Sequence, residues 1–235
     1  MPAGFSKHIP SVVECLARHY DGFNPISLNR VRDCLGALRK GGVTEAYNGA
    51  KYGVRLGYIE AVPYGKFMRY RPTLTGVVKA AIMDAAMTAL GIVDERVIGI
   101  TERLSIVLYS NLLAELPDAI LIAQHGARGI ECVCCSEDGG CFGYKRIEGK
   151  DRVYLGMIAL KVLAGVEVRG IRPRDYWQLF RFVRDEALFY LRRGFKGYDP
   201  ELAARASPLM ALFLLKLDRN WFVPRYKIAQ QALGH

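Results

Sequence analysis

Several signatures of common enzyme classes are missing from this chain of 235 residues. It contains no G-x-x-x-x-G-K-[ST] or G-x-G-x-x-G phosphate-binding pattern, no H-E-x-x-H pattern and no G-x-S-x-G pattern. Each of these patterns supplies a backbone or side-chain geometry that its chemistry requires, so nucleotide hydrolysis, dinucleotide binding, zinc proteolysis and serine hydrolysis by these routes are not expected. We therefore expect a protein that is not an enzyme.

Long apolar runs are also missing. No run reaches the roughly 18 residues that a membrane-spanning helix needs, and the first ten residues, MPAGFSKHIP, lack the apolar core of a signal peptide. We therefore predict a cytoplasmic protein without a membrane partner. A composition of 51% apolar and 24% charged residues is typical of a globular chain with one or two domains and a sizeable core.

Side-chain amides are scarce: asparagine and glutamine together number nine, while arginine outnumbers lysine 22 to 11. Because amides are heat-labile, this balance favours an archaeal or thermophilic source, although genomic base composition also enriches arginine. The source matters for the six cysteines, since intracellular disulfides are rare except in hyperthermophiles.

Acidic residues are few in one part of the chain, residues 24–80. This part has ten Lys or Arg and three Asp or Glu, so it carries a net charge of +7 out of the +10 of the whole chain. Tyrosines are interleaved with the basic residues. Basic clusters of this kind are typical of proteins that bind nucleic-acid phosphates.

The same part of the chain has a recognisable order of local signals. Thr44 is placed to cap a helix that Gly57 ends, because glycine readily adopts the left-handed conformation found after helices. Two strands are predicted over 58–62 and 67–71, joined by a Pro-Tyr-Gly-Lys turn. Leu-Thr-Gly then leads into an apolar helix over 77–90, which either closes the core or forms a dimer contact.

This order of helix, Leu-Gly-Tyr-Ile-Glu, basic hairpin and Leu-Thr-x-helix resembles the winged helix-turn-helix superfamily over about residues 10–90. In that superfamily the helix before the hairpin usually enters the DNA major groove, and some members bind proteins instead. The resemblance implies that the hairpin is a wing that reaches the DNA backbone or minor groove. The residues predicted to contact DNA are Tyr47, Asn48, Lys51, Tyr52 and Arg55 on the helix and Lys66, Arg69 and Arg71 on the wing. Of these, Asn48 is suited to adenine and Arg55 to guanine.

Two helices are expected before the helix that is predicted to contact DNA. They cover 11–20 and 28–38, and Ser27 is the cap of the second. Cys15 and Cys34 lie on the apolar faces of these helices. We predict that both are small buried hydrophobic residues.

The second half of the chain is predicted to be mostly helical. Helices are expected over 92–116, with a break near Gly99, and over 153–164 and 174–193. Between them, 128–149 is predicted to form a β-hairpin that bears four cysteines.

The state of these four cysteines remains open. They are Cys132, Cys134, Cys135 and Cys141. Strand alternation places the first two on one face and the third on the other. The two separate C-x-x-C pairs that are typical of zinc and iron–sulfur sites are missing. Three alternatives remain: a zinc or iron–sulfur site, a disulfide across the hairpin, or free thiols. A cysteine-dependent enzyme is the least favoured function.

Together these signals predict a mainly α protein with a winged helix-turn-helix domain at 1–90 and a helical domain with one β-hairpin at 91–235. The predicted function is binding of double-stranded DNA as a transcriptional regulator, with the second domain serving for homodimer formation or sensing. The alternative is a docking or nucleic-acid-binding subunit of a larger transcription, replication or ribosome-associated assembly.

Overall fold

A computed structural model of the chain describes residues 5–115 and 150–194. The helices in these residues are Ile9–His19 (α1), Leu28–Ala37 (α2), Val43–Arg55 (α3), Leu74–Leu90 (α4), Arg96–Glu115 (α5), Lys150–Leu163 (α6) and Asp175–Gly194 (α7). The strands are Ile26–Ser27 (β1), Ile59–Tyr64 (β2) and Phe67–Pro72 (β3). The prediction of a mainly helical protein is confirmed for this part of the chain.

The three strands form one small antiparallel sheet in the order β1-β3-β2. In the β2–β3 hairpin Tyr64 pairs with Phe67, so the turn has only the two residues Gly65 and Lys66. Gly65 has a φ of 60°, which glycine adopts at little cost and which suits a tight hairpin turn. The sequence signals predicted the hairpin but not β1, because two residues are too few to show a strand period.

Most helix ends agree with the local signals, and two details differ. Ser27 caps α2 by accepting the Arg30 N–H, as predicted, and α5 is continuous where a break near Gly99 was expected. The predicted cap of α3 is wrong. The helix begins at Val43 after Gly42, whose N–H donates to the Glu45 carboxylate at 2.8 Å. Gly42 has no side chain to accept a bond in return, so this single bond to Glu45 takes the place of the cap predicted for Thr44.

Helix α4 forms the centre of the core around which α1 packs. Val77, Val78, Ile82 and Met83 are all fully buried. A side chain at Gly76 would overlap the carbonyl oxygen of Tyr58, so this position admits only glycine at the observed helix–strand spacing. Of the two alternatives for this helix, burial within the chain favours closure of the core.

Cys15 of α1 and Cys34 of α2 form a disulfide, with the two Cα atoms 5.8 Å apart. The prediction that they are unpaired hydrophobic residues is therefore wrong, although their burial was predicted correctly. Each cysteine lies on the core face of its helix, and these two faces meet in the fold. Helical periodicity places a cysteine on a face but carries no information about which other face it meets.

An ion cluster around a buried carboxylate joins the same region to the turn before α3. The Glu14 carboxylate, whose side chain is 3% exposed, pairs with Arg18 at 2.8 Å and with Lys40 at 2.6 Å. Burial raises the pKa of Glu14, and the hydrogen bonds from Lys40 and Arg18 more than offset it, so the net pKa is lowered. Glu14 is thus held as a carboxylate.

Residues 171–189 belong to the same compact unit as residues 5–102. The guanidinium of Arg18 lies 3.7 Å from the ring centroid of Trp177, and the rings of Tyr20 and Tyr176 are 4.5 Å apart. A cation over an aromatic face and a close ring pair each add stability beyond the area they bury. The beginning of α7 therefore completes the packing around α1.

A second compact unit comprises 103–115, 150–170 and 190–194 among the described residues. Its buried side chains include Leu104, Leu108, Leu112, Ile158 and Leu160. The predicted domain division at residues 90 and 91 stays a prediction. In the described residues no helix is both long and apolar enough to cross a membrane.

Candidate nucleic-acid interface

The direction in which α3 faces is set by small residues on its inner side. A Cβ added at Gly49 would lie 2.5 Å from Val12 Cγ2, and one added at Gly53 would lie 2.5 Å from Ile59 Cδ1. With Ala46 and Ala50, these glycines let the helix approach α1 and β2 closely. The larger residues of α3 are consequently turned outward.

The outward face of α3 is basic and aromatic. Tyr47 is 53% exposed, and Lys51 and Arg55 are exposed one and two turns further along. The Lys51 amino group lies 5.9 Å from the ring centroids of both Tyr47 and Tyr52, and the Arg55 guanidinium lies 5.4 Å from that of Tyr52. At these distances the rings hold the cations loosely while leaving them open to a phosphate or a base edge.

Asn48 and Tyr52 are placed differently from the other three predicted contacts of this helix. Both are half-buried, and both line a shallow pocket together with Lys7, His8 and Val93. The chain before α1 thus lies beside the predicted reading face. Lys7 and His8 are neighbours of the interface that sequence reasoning missed, because they precede α3 by more than thirty residues.

The strand register places three cross-strand pairs on one face of the hairpin: Glu60 with Arg71, Val62 with Arg69, and Tyr64 with Phe67. Arg71 donates to both carboxylate oxygens of Glu60, at 2.7 and 2.8 Å. This pairing lowers the pKa of Glu60 and raises that of Arg71. Arg71 lies on the predicted face, but its charge is already balanced.

Arg69 and Lys66 are the two basic residues of the hairpin without a carboxylate partner in the described structure. The guanidinium of Arg69 stacks over the Tyr64 ring at 3.5 Å from its centroid. Stacking on a ring occupies the flat face of a guanidinium and leaves its N–H donors available for other contacts. Lys66 occupies the exposed turn. The structure therefore brings the three predicted wing residues together, and of these Lys66 and Arg69 are the cations that remain available to contact a phosphate.

Thr73 joins the end of α3, the hairpin and α4 at one point. Its hydroxyl donates to the Gly57 carbonyl at 2.7 Å and accepts the Gly76 N–H at 2.9 Å. Its own N–H donates to the Tyr58 carbonyl at 3.1 Å. These bonds connect the base of the hairpin to the end of α3 and the beginning of α4, so the two basic surfaces are held next to each other.

Five exposed apolar side chains adjoin these basic residues, and all of them except Tyr64, one of the interleaved tyrosines, were not singled out from the sequence. Val43 and Val54 lie on α3, and Tyr64, Phe67 and Met68 lie at the end of the hairpin. Residue type alone does not mark them, because the same residues in a strand or helix are more often buried. Their exposure became visible only with the strand register and the packing of α3.

No protein-family profile, curated protein or solved structure matches the chain.

The predicted cysteine cluster, Cys132, Cys134, Cys135 and Cys141, lies outside the described residues. Zinc, an iron–sulfur cluster, a disulfide and free thiols all remain predictions for it. Within residues 5–115 and 150–194, no three His, Cys, Asp or Glu side chains come together as a metal site would require.

Proposed function

We propose that the chain is a winged helix-turn-helix protein that binds double-stranded DNA and regulates transcription. The main supporting observation is that α3, whose outward face is basic and aromatic, lies next to a hairpin that presents Lys66 and Arg69. The order α1–β1–α2–α3–β2–β3 and the three-stranded sheet support the winged-helix assignment.

In this proposal the two surfaces have different tasks. Lys51, Arg55 and Tyr47 of α3 face the major groove, which admits one helix and carries a distinct donor and acceptor pattern for each base pair. Arg55 is suited to a bidentate contact with guanine. Lys66 and Arg69 contact phosphates beside that groove, which gives affinity without sequence information. Asn48 and Tyr52 border the reading face.

The experiment is a DNA-binding titration across a salt series, with random duplex and with genomic fragments selected by the protein. Lys51→Ala/Arg55→Ala should abolish the preference for selected fragments, because a lost bidentate base contact costs about 1–3 kcal/mol. Arg69→Ala should weaken all duplexes alike and reduce the slope of log K against log salt by about 0.9, the value expected for one phosphate contact.

Two control variants sharpen the assignment. Arg71→Ala should change the slope less than Arg69→Ala, because Glu60 already pairs with Arg71. Arg181→Ala removes an exposed arginine of α7 and should leave binding unchanged. Wild-type protein without measurable affinity for any duplex, or equal losses in the Arg181 variant and the α3 variant, would contradict the proposal.

A second candidate is a docking subunit of a larger nucleic-acid assembly, favoured by the apolar exposure of α3. Val43 is 63% exposed and Val54 is 37% exposed, and both flank the basic residues of that helix. Burial of such side chains by a protein partner is favourable. If this candidate holds, Val43→Ala/Val54→Ala should release co-purifying subunits while leaving the weak duplex affinity unchanged.

For the regulator, we propose a homodimer, because two half-sites one helical turn apart multiply affinity and specificity. Light scattering of the purified protein together with its complex on a selected fragment tests this. A single subunit on every selected fragment would contradict it.

A further inference from the structure

The end of the β2–β3 hairpin carries apolar side chains on both of its faces. Tyr64 and Phe67 oppose each other on one face and are 56% and 76% exposed. Pro63 and Met68 oppose each other on the other face, where Met68 is 46% exposed. We call these four residues the hairpin tip.

The two faces of the hairpin tip make a protrusion and not a flat patch. An amphipathic hairpin usually buries one face and exposes the other to solvent. The base of this hairpin does so, with Ile59 buried and Glu60 exposed. At the tip both faces carry exposed apolar side chains. A hairpin with exposed apolar side chains on both faces is better suited to insertion into a narrow slot than to docking on a broad surface.

The charges around the hairpin tip indicate which kind of partner would provide such a slot. Lys66 stands in the turn between the two strands, and Arg69 is held over the Tyr64 ring directly behind the tip. The only acid of the hairpin, Glu60, lies at its far end and is neutralised by Arg71. An apolar point enclosed by cations is complementary to stacked bases flanked by phosphates.

We propose that the hairpin tip is a wedge that enters a base step of duplex DNA, with Phe67 or Met68 between the bases and Lys66 and Arg69 on the adjoining phosphates. This inference rests on the proposed DNA-binding function and adds deformation of the DNA to it. Phenylalanine, methionine and proline are among the side chains that open base steps in this way. The wedge favours steps that unstack easily, so selectivity arises at a position where no base edge is read.

The test uses the full-length protein and two duplexes of one sequence, one fully paired and one with a single central mismatch. A 2-aminopurine base beside the centre reports unstacking as a rise in fluorescence. Wild-type protein should bind the mismatched duplex about tenfold more tightly, because a mismatched base is already partly unstacked, and should raise the fluorescence of the paired duplex.

Phe67→Ala/Met68→Ala should remove both the mismatch preference and the fluorescence rise while retaining affinity for the paired duplex. Both side chains are exposed, so the melting temperature of the variant should match that of the wild type. Phe23→Ala is the matched control: Phe23 is 87% exposed and precedes β1, whose pairing places it toward the opposite end of β3 from the tip. It should behave as wild type.

The outcomes separate the two proposals. Wild-type protein that binds duplex with no mismatch preference, or a variant that keeps the preference, overturns the wedge and leaves DNA binding intact. Wild-type protein that binds neither duplex overturns the wedge together with the proposed function.

Discussion

The disulfide between Cys15 and Cys34 gives the sharpest prediction about stability. The two residues are 19 positions apart, so the bond closes a short loop in the unfolded chain. The loop-entropy relation gives about 3 kcal/mol for a loop of this length, a large part of the 5–15 kcal/mol that is usual for a domain. We expect Cys15→Ala/Cys34→Ala to lower the free energy of unfolding by about this amount.

Urea denaturation followed by fluorescence measures this loss. Trp177 lies in the same unit as the disulfide, so a Trp221→Phe background makes it the single reporter. With a slope of about 1.5–3 kcal/mol per molar urea, the midpoint should fall by about 1–2 M in the double variant. The wild type in reductant should approach the same midpoint once the bond is broken.

Thiol counting refutes the reasoning most directly. Denatured wild-type protein without reductant should expose at most four free thiols, because two of the six cysteines are bonded to each other. Six free thiols, or equal urea midpoints for the wild type and the double variant, would show that the two sulfurs are not joined or that the bond does not stabilise the fold.

Two further predictions concern the core. Glu14→Gln should lower the free energy of unfolding by about 1–3 kcal/mol at pH 7. The difference from wild type should shrink as pH falls from about 4.5 through the lowered folded pKa of Glu14, because protonation removes the pairing of this carboxylate with Lys40. A difference in urea unfolding that does not depend on pH would refute this. Gly76→Ala should lower the free energy of unfolding by about 1–3 kcal/mol, because the added Cβ meets the Tyr58 carbonyl. Gly36→Ala should be neutral or stabilising, because Gly36 lies in an exposed turn of α2 and the added Cβ would meet no other part of the chain within 4 Å. Equal melting temperatures for the two alanine variants would contradict the packing argument.

Local chemistry determined the elements of the fold, because caps and turns act over a few residues. Ser27 at the start of α2 and Gly57 after α3 were both recognisable as helix ends, and both take these roles. The hairpin was predictable for the same reason. The basic and aromatic face of α3 followed from helical spacing alone, so its exposed residues Tyr47, Lys51 and Arg55 were named correctly as surface residues.

Contacts between distant parts of the chain were decided only by the tertiary structure. Pairing of Cys15 with Cys34, addition of β1 to β3, and packing of residues 171–189 around α1 depend on which faces meet, and periodicity within one element does not specify that. The same reason applies to the candidate interface. Arg69 and Arg71 look alike in sequence, but the strand register gives Arg71 a carboxylate partner and leaves Arg69 stacked on a ring beside an exposed apolar tip.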